Sequence, residues 1–392
     1  MRQSALAAFL ASVGERESRA AQVFASLYRH GEEPSQSAAL SSTFRKRLAA
    51  LADTSGDVRL ASVVGAADGT RKLLFTLLAG EGKGGTVEAV LIPSVRGDGP
   101  GRLTLCISSQ LGCSQNCSFC LTGLMGLRAN LSAAQIVGQV LAAKRLVAEE
   151  AVAAGSPASA ATLSNVVFMG MGEPLHNLEP VLAAVDILLD EAGFAFSRRR
   201  VTVSTSGLVP AMRAFLAASR ASLAVSLNAT TDEVRSRIMP INRKHNLAEL
   251  LQALRDGLGP AAAAPHRTRD AAFLEYVLLS GVNDTDDDIA RLVSIAVSVP
   301  GSKVNLITFN PHAGSGFAPS PRATALRFRD ALAAAGVTAT LRESRGDDAM
   351  AACGQLGRPE EAAAWKPPPP RPARVVAATA AAAAAAGALA TV

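Results

Sequence analysis

From Leu103 onward, short apolar and β-branched runs alternate with helix-length segments: "LTLCISS", "NVVFMGM", "RVTVSTS", "LAVSLNA", "FLEYVLL", "KVNLITF" and "VTATLRE". This βαβα rhythm is that of a parallel sheet or barrel. The units are too few for a full eightfold barrel, so an α/β fold built as a partial, open barrel is expected. Each strand is followed by polar or Gly-rich residues, as in "GMGEPLHN", "STSG", "SLNATTDE" and "FNPHAGSG". In such folds chemistry gathers at the carboxyl ends of the strands, where these segments lie.

The chain before Gly85 has a different pattern. "AAQVFASLYRHG" and "SSTFRKRLAALAD" read as amphipathic helices, and the stretch from Val58 to Pro93 as antiparallel strands turning at "ADGT" and "EGKGG". Residues 1–85 are therefore expected to form a small α+β accessory domain, residues 86–357 the core domain, and residues 358–392 a Pro/Ala-rich tail. No internal repeat of fixed period is present. The first 24 residues read as a helix of mixed charge rather than a signal peptide. The C-terminal "VVAATAAAAAAAGALATV" reads as low complexity, since alanine transfers poorly into lipid, so no membrane partner is expected.

A net charge of +6 suits a polyanionic partner, and equally a basic surface kept for solubility. Trp365, Tyr28 and Tyr276 are the only Trp and Tyr residues, too few for a single-strand binder that stacks bases on rows of aromatics. A nucleic acid would be held by Lys and Arg. Arg45-Lys46-Arg47, Arg198-Arg199-Arg200 and Arg243-Lys244 are the candidate phosphate contacts, each weighed against an ordinary solvated face.

Of five cysteines, three fall within eight residues: Cys113, Cys117 and Cys120 in "GCSQNCSFC". A disulfide uses two thiols and a structural zinc site usually four ligands, commonly in paired C-x2-C knuckles. Three thiolates suit a cubane iron-sulfur cluster with one iron left open. C-x3-C-x2-C with Phe119 before the last cysteine is the pattern of radical S-adenosylmethionine (SAM) enzymes, whose open iron chelates the amino and carboxylate groups of SAM. A zinc site completed by a distant histidine, or three buried thiols, are the plainer readings. Further along, Gly172 lets the backbone approach a ligand and Glu173 offers an acceptor to a cationic amine. Ser204, Ser226, Asn228 and Asn310 recur at the ends of later strands. Singly, each is more often an ordinary strand-end residue.

Taken in order, the triplet, "VVFMGMGEPLHNLEPV", "RRRVTVSTSGLVP", "SLNATTDEVRSRIMPINRK" and "RGDDAMAACGQL" strongly resemble the RlmN/Cfr family of radical SAM adenosine methyltransferases, from about residue 15 to 357. The resemblance implies a partial TIM-type barrel behind an N-terminal RNA-binding domain, and methylation of adenosine carbon 2 in 23S ribosomal RNA, with tRNA as a second substrate. Carbon 2 of adenine is electron-poor and cannot attack a methyl donor as a nucleophile. In the family one SAM therefore methylates a cysteine, and a second, reductively cleaved, yields a radical that activates that methyl group for attack on the base. The adduct then loses a proton and is released by another cysteine. Two SAM molecules per turnover and an electron donor such as a flavodoxin or ferredoxin are implied.

Cys353 matches the methyl-carrying cysteine, Cys106 the one that resolves the adduct by forming a disulfide, and Glu88 the proton acceptor. SAM contacts carry over onto Gly172, Glu173, Ser204, Ser226, Leu227, Asn228 and Asn310. For Cys106 the plain alternative is a buried strand thiol, for Cys353 a loop thiol, and for Glu88 a solvated strand side chain. Departures from the family pattern are Leu121, where a smaller residue is usual, a longer "SVRGDGPGR" loop and the atypical tail. His30, His176, His245, His266 and His312 are read as structural or surface residues. Two rivals stand beside this reading: Cfr-type methylation at carbon 8, and a non-catalytic RNA-binding or assembly factor with a relic cluster. Free thiols and a cluster imply a reducing compartment, with the cytoplasm expected ahead of plastid stroma or mitochondrial matrix. A monomer is expected.

Overall fold

The computed structural model describes residues 2–51, 56–94, 101–155, 161–258, 272–312 and 315–358. Most of the lengthened loop, at 95–100, and the tail from 359 onward lie outside the described residues.

Twelve strands are present among them: β1 (Val58–Gly65), β2 (Arg71–Leu77), β3 (Thr86–Ser94), β4 (Gly101–Cys106), β5 (Gln110–Gly112), β6 (Leu127–Asn130), β7 (Ala161–Phe168), β8 (Val201–Thr205), β9 (Ser222–Ser226), β10 (Ala272–Leu278), β11 (Lys303–Thr308) and β12 (Thr338–Arg342). Ten of them form one sheet in the order β1-β2-β3-β4-β7-β8-β9-β10-β11-β12. The pairings from β1 to β4 are antiparallel. From β4 to β12 every pairing is parallel. β12 pairs with β11 and not back onto β4, so the sheet curls without closing, as an open barrel.

The parallel strands are joined through helices laid on the outer face: α5 (Ala133–Ala153), α6 (Leu178–Leu189), α7 (Val209–Ala218), α8 (Asp232–Ile238), α9 (Leu247–Leu258), α10 (Asp286–Ser298) and α11 (Arg322–Ala334). Local sequence starts several of them. Ser132 and Gln135 form a reciprocal capping box on α5, and Thr285 and Asp288 do the same on α10, which satisfies amides that a helix end leaves unpaired. Buried Val, Ile, Leu and Phe from strands and helices merge into one core, including Leu105, Val166, Val203, Leu223, Leu274 and Leu306.

Near the N-terminus, α1 (Gln3–Ser12), α2 (Arg19–Phe24) and α3 (Ser42–Leu51) enclose a second small core of Leu10, Ala20, Val23, Leu40, Phe44 and Leu48. The β2–β3 ladder runs unbroken from Thr76↔Thr86 to Arg71↔Leu91, so residue 85 falls in a hairpin turn of the main sheet. The helices before it build their own small core, while Phe24 and Tyr28 join the main one. The strands read from the sequence all form, but the two-stranded sheet of β5 and β6 was not foreseen. At three and four residues, its strands are too short to carry a pattern.

Candidate active site

Between β5 and β6 the chain makes the loop that carries Cys113, Cys117 and Cys120, and then the short helix α4 (Leu121–Leu124). Asn116 adopts φ 51°, a left-handed conformation that asparagine tolerates, and turns the loop back on itself. Backbone bonds then pin it: Cys113 N–H to Gly126 O at 3.0 Å, Cys120 N–H to Cys117 O at 3.1 Å, and Ser118 N–H to Ile238 O at 3.0 Å. All three cysteines line one cavity of about 940 Å³ at the carboxyl ends of the parallel strands.

Burial pushes the Cys113 thiol up to about 12 and that of Cys117 well above its ordinary range; the charges of neighbouring thiolates add to both. Cys120 is raised as well, first by burial. Three such thiols resist ionising together unless a cation joins them, and they are soft donors on one loop. Among the described residues no three His, Cys, Asp or Glu side chains converge on a single point. As three soft thiolate donors on one loop lining one cavity, Cys113, Cys117 and Cys120 fit as the holders of an iron-sulfur cluster.

The same cavity gathers Gly172, Glu173, Ser204, Ser226, Asn228 and Asn310 from four different strand ends. Gly172 has φ +101°, and a Cβ there would stand 2.5 Å from Gln110 Cβ, so only glycine fits. Glu173 is buried; its Oε1 accepts from Leu175 N–H at 3.0 Å and its Oε2 from Ser206 N–H at 2.7 Å. Burial raises its pKa, against those amide bonds. Asn228, at φ 53°, accepts from Val277 N–H at 2.9 Å and so holds β10 at the mouth.

Leu227 is placed differently. Its side chain is fully buried in the core, its N–H bonds to Glu275 O, and only the flanking Ser226 and Asn228 line the cavity. Two other residues of this wall were not singled out in the sequence. Arg235 on α8 is 0 % exposed and donates to the carbonyls of Ser206, Ser226 and Leu227 and to Asn242 Oδ1. Glu275 on β10 is 3 % exposed and lines the cavity; Asn305 Nδ2 donates to its Oε1 at 2.7 Å, and Arg342 stands 3.6 Å from its Oε2. A lone charge inside "FLEYVLL" was a legible signal for Glu275. Nothing distinguished Arg235 from Arg237 two residues on.

A second cavity, of about 800 Å³, adjoins the first inside the barrel. Met169, Ile307, Thr308, Asn310, Arg342 and Cys353 border both. Cys106, at the end of β4, lies in the second, beside Val90 and Ile92 of β3. Cys106 is 5 % exposed, and burial, then the charge of Cys353, pushes its thiol up to about 12. Cys353 is carried on a segment folded across the mouth. Leu121 N–H donates to Gly354 O at 2.7 Å, Thr122 Oγ1 to Leu356 O at 2.6 Å, and Gln355 Nε2 to Asp347 Oδ1 at 2.6 Å. Leu121 therefore packs beneath the Cys353 segment. His312, read as structural, bonds through Nε2 with Phe119 O at 3.3 Å and so steadies the cysteine loop.

Glu88 was weighed against an exposed strand side chain; it is instead 2 % exposed. On β3 it shares a face with Val90 and Ile92, which line the second cavity. Lys72 Nζ and Arg358 Nε stand 3.8 and 4.0 Å from its carboxylate, and Gly357 N–H donates to it at 3.2 Å.

The basic clusters separate. Arg47 is tied to Glu15 at 2.8 Å and Arg45 to Gln36 O at 3.4 Å, so within Arg45-Lys46-Arg47 the exposed Lys46 is the side chain turned to solvent without a recorded tie. Arg200 bonds to Asn165 Oδ1 at 3.1 Å, leaving Arg199 exposed beside it. Arg243 and Lys244 are exposed and follow Met239, which lines the first cavity.

Residues 107–293 match the Radical SAM superfamily. The chain is 46% identical over 359 residues to the "Dual-specificity RNA methyltransferase RlmN" of Geotalea uraniireducens (strain Rf4), covering 91% of this chain and 95% of that protein. It is 43% identical over 363 residues to the protein of the same name from Halorhodospira halophila (strain DSM 244 / SL1), covering 92% and 93%. A crystal structure of a radical SAM methyltransferase from Sphaerobacter thermophilus superposes with a TM-score of 0.77 at 38% identity, covering 91% of this chain and 97% of that one. An open parallel barrel, three cysteines on one loop and this likeness over nine-tenths of the chain agree: the protein belongs to the RlmN family of radical SAM RNA methyltransferases, enzymes whose superfamily implies SAM and a 4Fe-4S cluster.

Proposed function

We propose that the protein methylates carbon 2 of adenosine in 23S-type ribosomal RNA and in tRNA, with Cys353 as the methyl carrier. One observation carries the reading. Cys353 borders both cavities, with the cluster cysteines and Glu173 on one side and Cys106 on the other. A carrier must face its methyl donor and its acceptor base in turn, and a thiol that opens on both cavities supports that role.

Bound at Cys113, Cys117 and Cys120, the cluster and SAM supply one-electron chemistry that activates an otherwise inert methyl group. The chain's own residues do the rest. Glu173 accepts from the amino group of SAM, and Gly172, Ser204, Ser226 and Asn310 fit around it. Cys353 Sγ would lose its proton and take a methyl group from one SAM, the methyl–sulfur bond of the donor breaking to release S-adenosylhomocysteine, and a second SAM would be spent in activating that methyl group. After the carbon–carbon bond has formed, Glu88 takes the proton from carbon 2. Cys106 Sγ then gives up its proton and attacks Cys353 Sγ; the sulfur–sulfur bond forms as the sulfur–carbon bond breaks, the released methylene carbon takes up a proton to become the methyl group on the base, and the one unpaired electron left from the radical addition passes to an electron acceptor of the redox partner. The disulfide and the cluster are returned to their starting states by an electron donor of flavodoxin or ferredoxin type. Residues 1–85 contribute phosphate affinity through Lys46, with Arg199, Arg243 and Lys244 on the core.

In a reducing compartment such as the cytoplasm all five thiols stay available, and all five are free in the structure. No helix of the described residues is long and apolar enough to cross a membrane. Mass spectrometry of RNA from cells with and without the protein tests the reading: loss of 2-methyladenosine from ribosomal RNA and tRNA is expected. Loss of 8-methyladenosine instead would transfer the chain to the carbon-8 chemistry, and no lost methylation would overturn the enzyme reading.

A further inference from the structure

Among the described residues Arg235 is the largest fully buried side chain, and its hydrogen bonds all end on neutral acceptors. Nε donates to Leu227 O at 3.0 Å, Nη1 to Asn242 Oδ1 at 2.9 Å, and Nη2 to Ser206 O at 2.6 Å and Ser226 O at 3.0 Å. These bonds satisfy donors; they do not neutralise charge. A buried cation without an anion is costly by several kcal/mol in effective terms, which is why buried charges are normally paired. Two carboxylates are near, but neither pairs with it. Asp232 is one amide removed, through the side chain of Asn242, and Glu173 binds the N–H of Ser206, whose carbonyl Arg235 holds.

The helix that carries Arg235 packs on the cysteine loop. Val234 and Ile238, its neighbours on α8, pack with Cys117 and Phe119, and the carbonyl of Ile238 holds Ser118 N–H at 3.0 Å. Ser206 and Ser226, whose carbonyls it grips, line the same cavity as Cys113, Cys117 and Cys120. We infer that the counter-charge of Arg235 is the thiolate-held cluster, and that Arg235 acts as a positioning and tuning residue that favours the reduced cluster. Three thiolates outweigh the positive charge of an oxidised cubane core, so the loaded site is anionic, and one electron from a flavodoxin-type donor makes it more so by a single charge. A fixed buried cation stabilises the product of that reduction more than its starting state. The charge of Cys117 also acts on Arg235 more strongly than that of Asp232, while burial opposes both and holds the guanidinium down at about 10.

This inference rests on the cluster assignment, and its test separates the two. Wild type, Arg235→Lys, Arg235→Gln and Arg235→Met are reconstituted anaerobically, assayed for iron and sulfide, and titrated with dithionite under electron paramagnetic resonance. The neutral variants should need a lower potential: at a fixed potential their ratio of reduced to oxidised cluster falls about tenfold, equivalent to ~59 mV for a one-electron couple. Arg235→Lys, which keeps the charge but loses hydrogen bonds, should stay within about twofold of wild type. Neutral variants that take up no iron while Arg235→Lys loads normally would also mark a missing counter-charge. Equal displacement of Lys and Gln, no displacement of either neutral variant, or loss of iron from all three would assign Arg235 to packing alone and overturn the inference. A wild type that binds no 4Fe-4S cluster would instead overturn the reading beneath it.

Discussion

Asn310 donates from Nδ2 to the carbonyl of Cys353 at 3.1 Å, and both residues border the two cavities. The strand end of β11 therefore holds the thiol-bearing segment directly, and a ligand touching Asn310 shares a side chain with that segment. Asn310→Ala should leave cluster uptake intact. It removes the donor to a carbonyl at a crowded site, worth about 1–3 kcal/mol, so methyl transfer to Cys353 should slow roughly ten- to a hundredfold. Mass spectrometry of the Cys353 peptide after incubation with SAM measures this. An unchanged rate would mean that the bonds from Leu121, Thr122 and Gln355 hold the segment without Asn310.

Gly172 sits where a side chain has no room. At φ +101°, with Gln110 N 2.9 Å from where a Cβ would be, Gly172→Ala must shift either the ligand turn or β5. The strain amounts to about 1–3 kcal/mol, applied at the residue beside Glu173. SAM affinity by calorimetry should fall at least tenfold. Far-ultraviolet circular dichroism should be unaltered, since the core does not depend on this turn. Wild-type affinity in the Ala variant would exclude the turn as a SAM contact.

The tip of the β1–β2 hairpin grips the segment leading to Cys353. Asp68 Oδ2 accepts from Gly346 N–H at 3.1 Å and lies 3.8 Å from Arg345, while Asp348 accepts from Ala67 N–H at 2.9 Å. Slight burial acts to raise the Asp68 carboxyl, but bonds from Thr70 and Gly346 and the Arg345 charge outweigh it and hold the pKa below its usual 3.8. A depressed carboxyl stabilises the fold above the unfolded value and loses that contribution as pH falls through the folded one. Amide exchange around Gly346 should thus accelerate only when acid drops below the ordinary aspartate range. Asp68→Asn should abolish that pH dependence. An equal acid response in both proteins would show that the grip does not depend on this charge.

The legible part of the fold was the part carried by pattern. Strands β4 and β7 to β12 announce themselves through apolar runs and the glycine or asparagine at their ends, and the cysteine spacing located the cavity wall before any geometry. What the sequence hid depends on long-range burial. Glu88 reads as a solvated side chain until β3 is seen to lie inside the main sheet, and Arg235 reads as one more surface charge on a polar helix. The free-looking triplet Arg45-Lys46-Arg47 loses most of its promise once Arg47 is found bonded to Glu15. Charge runs show composition; only packing shows which charges are spoken for.

Cys353 and Cys106 face one cavity, yet the proposed sequence of events gives them separate moments. Cys353 must take a methyl group before RNA is touched, whereas Cys106 acts only after the carbon bond exists. Cys353→Ala should therefore take up cluster and SAM and form no adduct with RNA. Cys106→Ala should accumulate protein joined to RNA through a methylene bridge on Cys353. Each change removes an atom that makes a bond, so the effects are all-or-none rather than graded. Burial pushes the Cys106 thiol up to about 12, which keeps it protonated at neutral pH before Cys353 Sγ, once joined to the base, becomes the sulfur it attacks. Denaturing gels of both variants expressed with substrate RNA, with and without nuclease, decide the matter. A nuclease-sensitive shifted band with Cys106→Ala alone is the expected result; its absence, or adenosine methylation by Cys353→Ala, would reassign both thiols while leaving the cluster site intact.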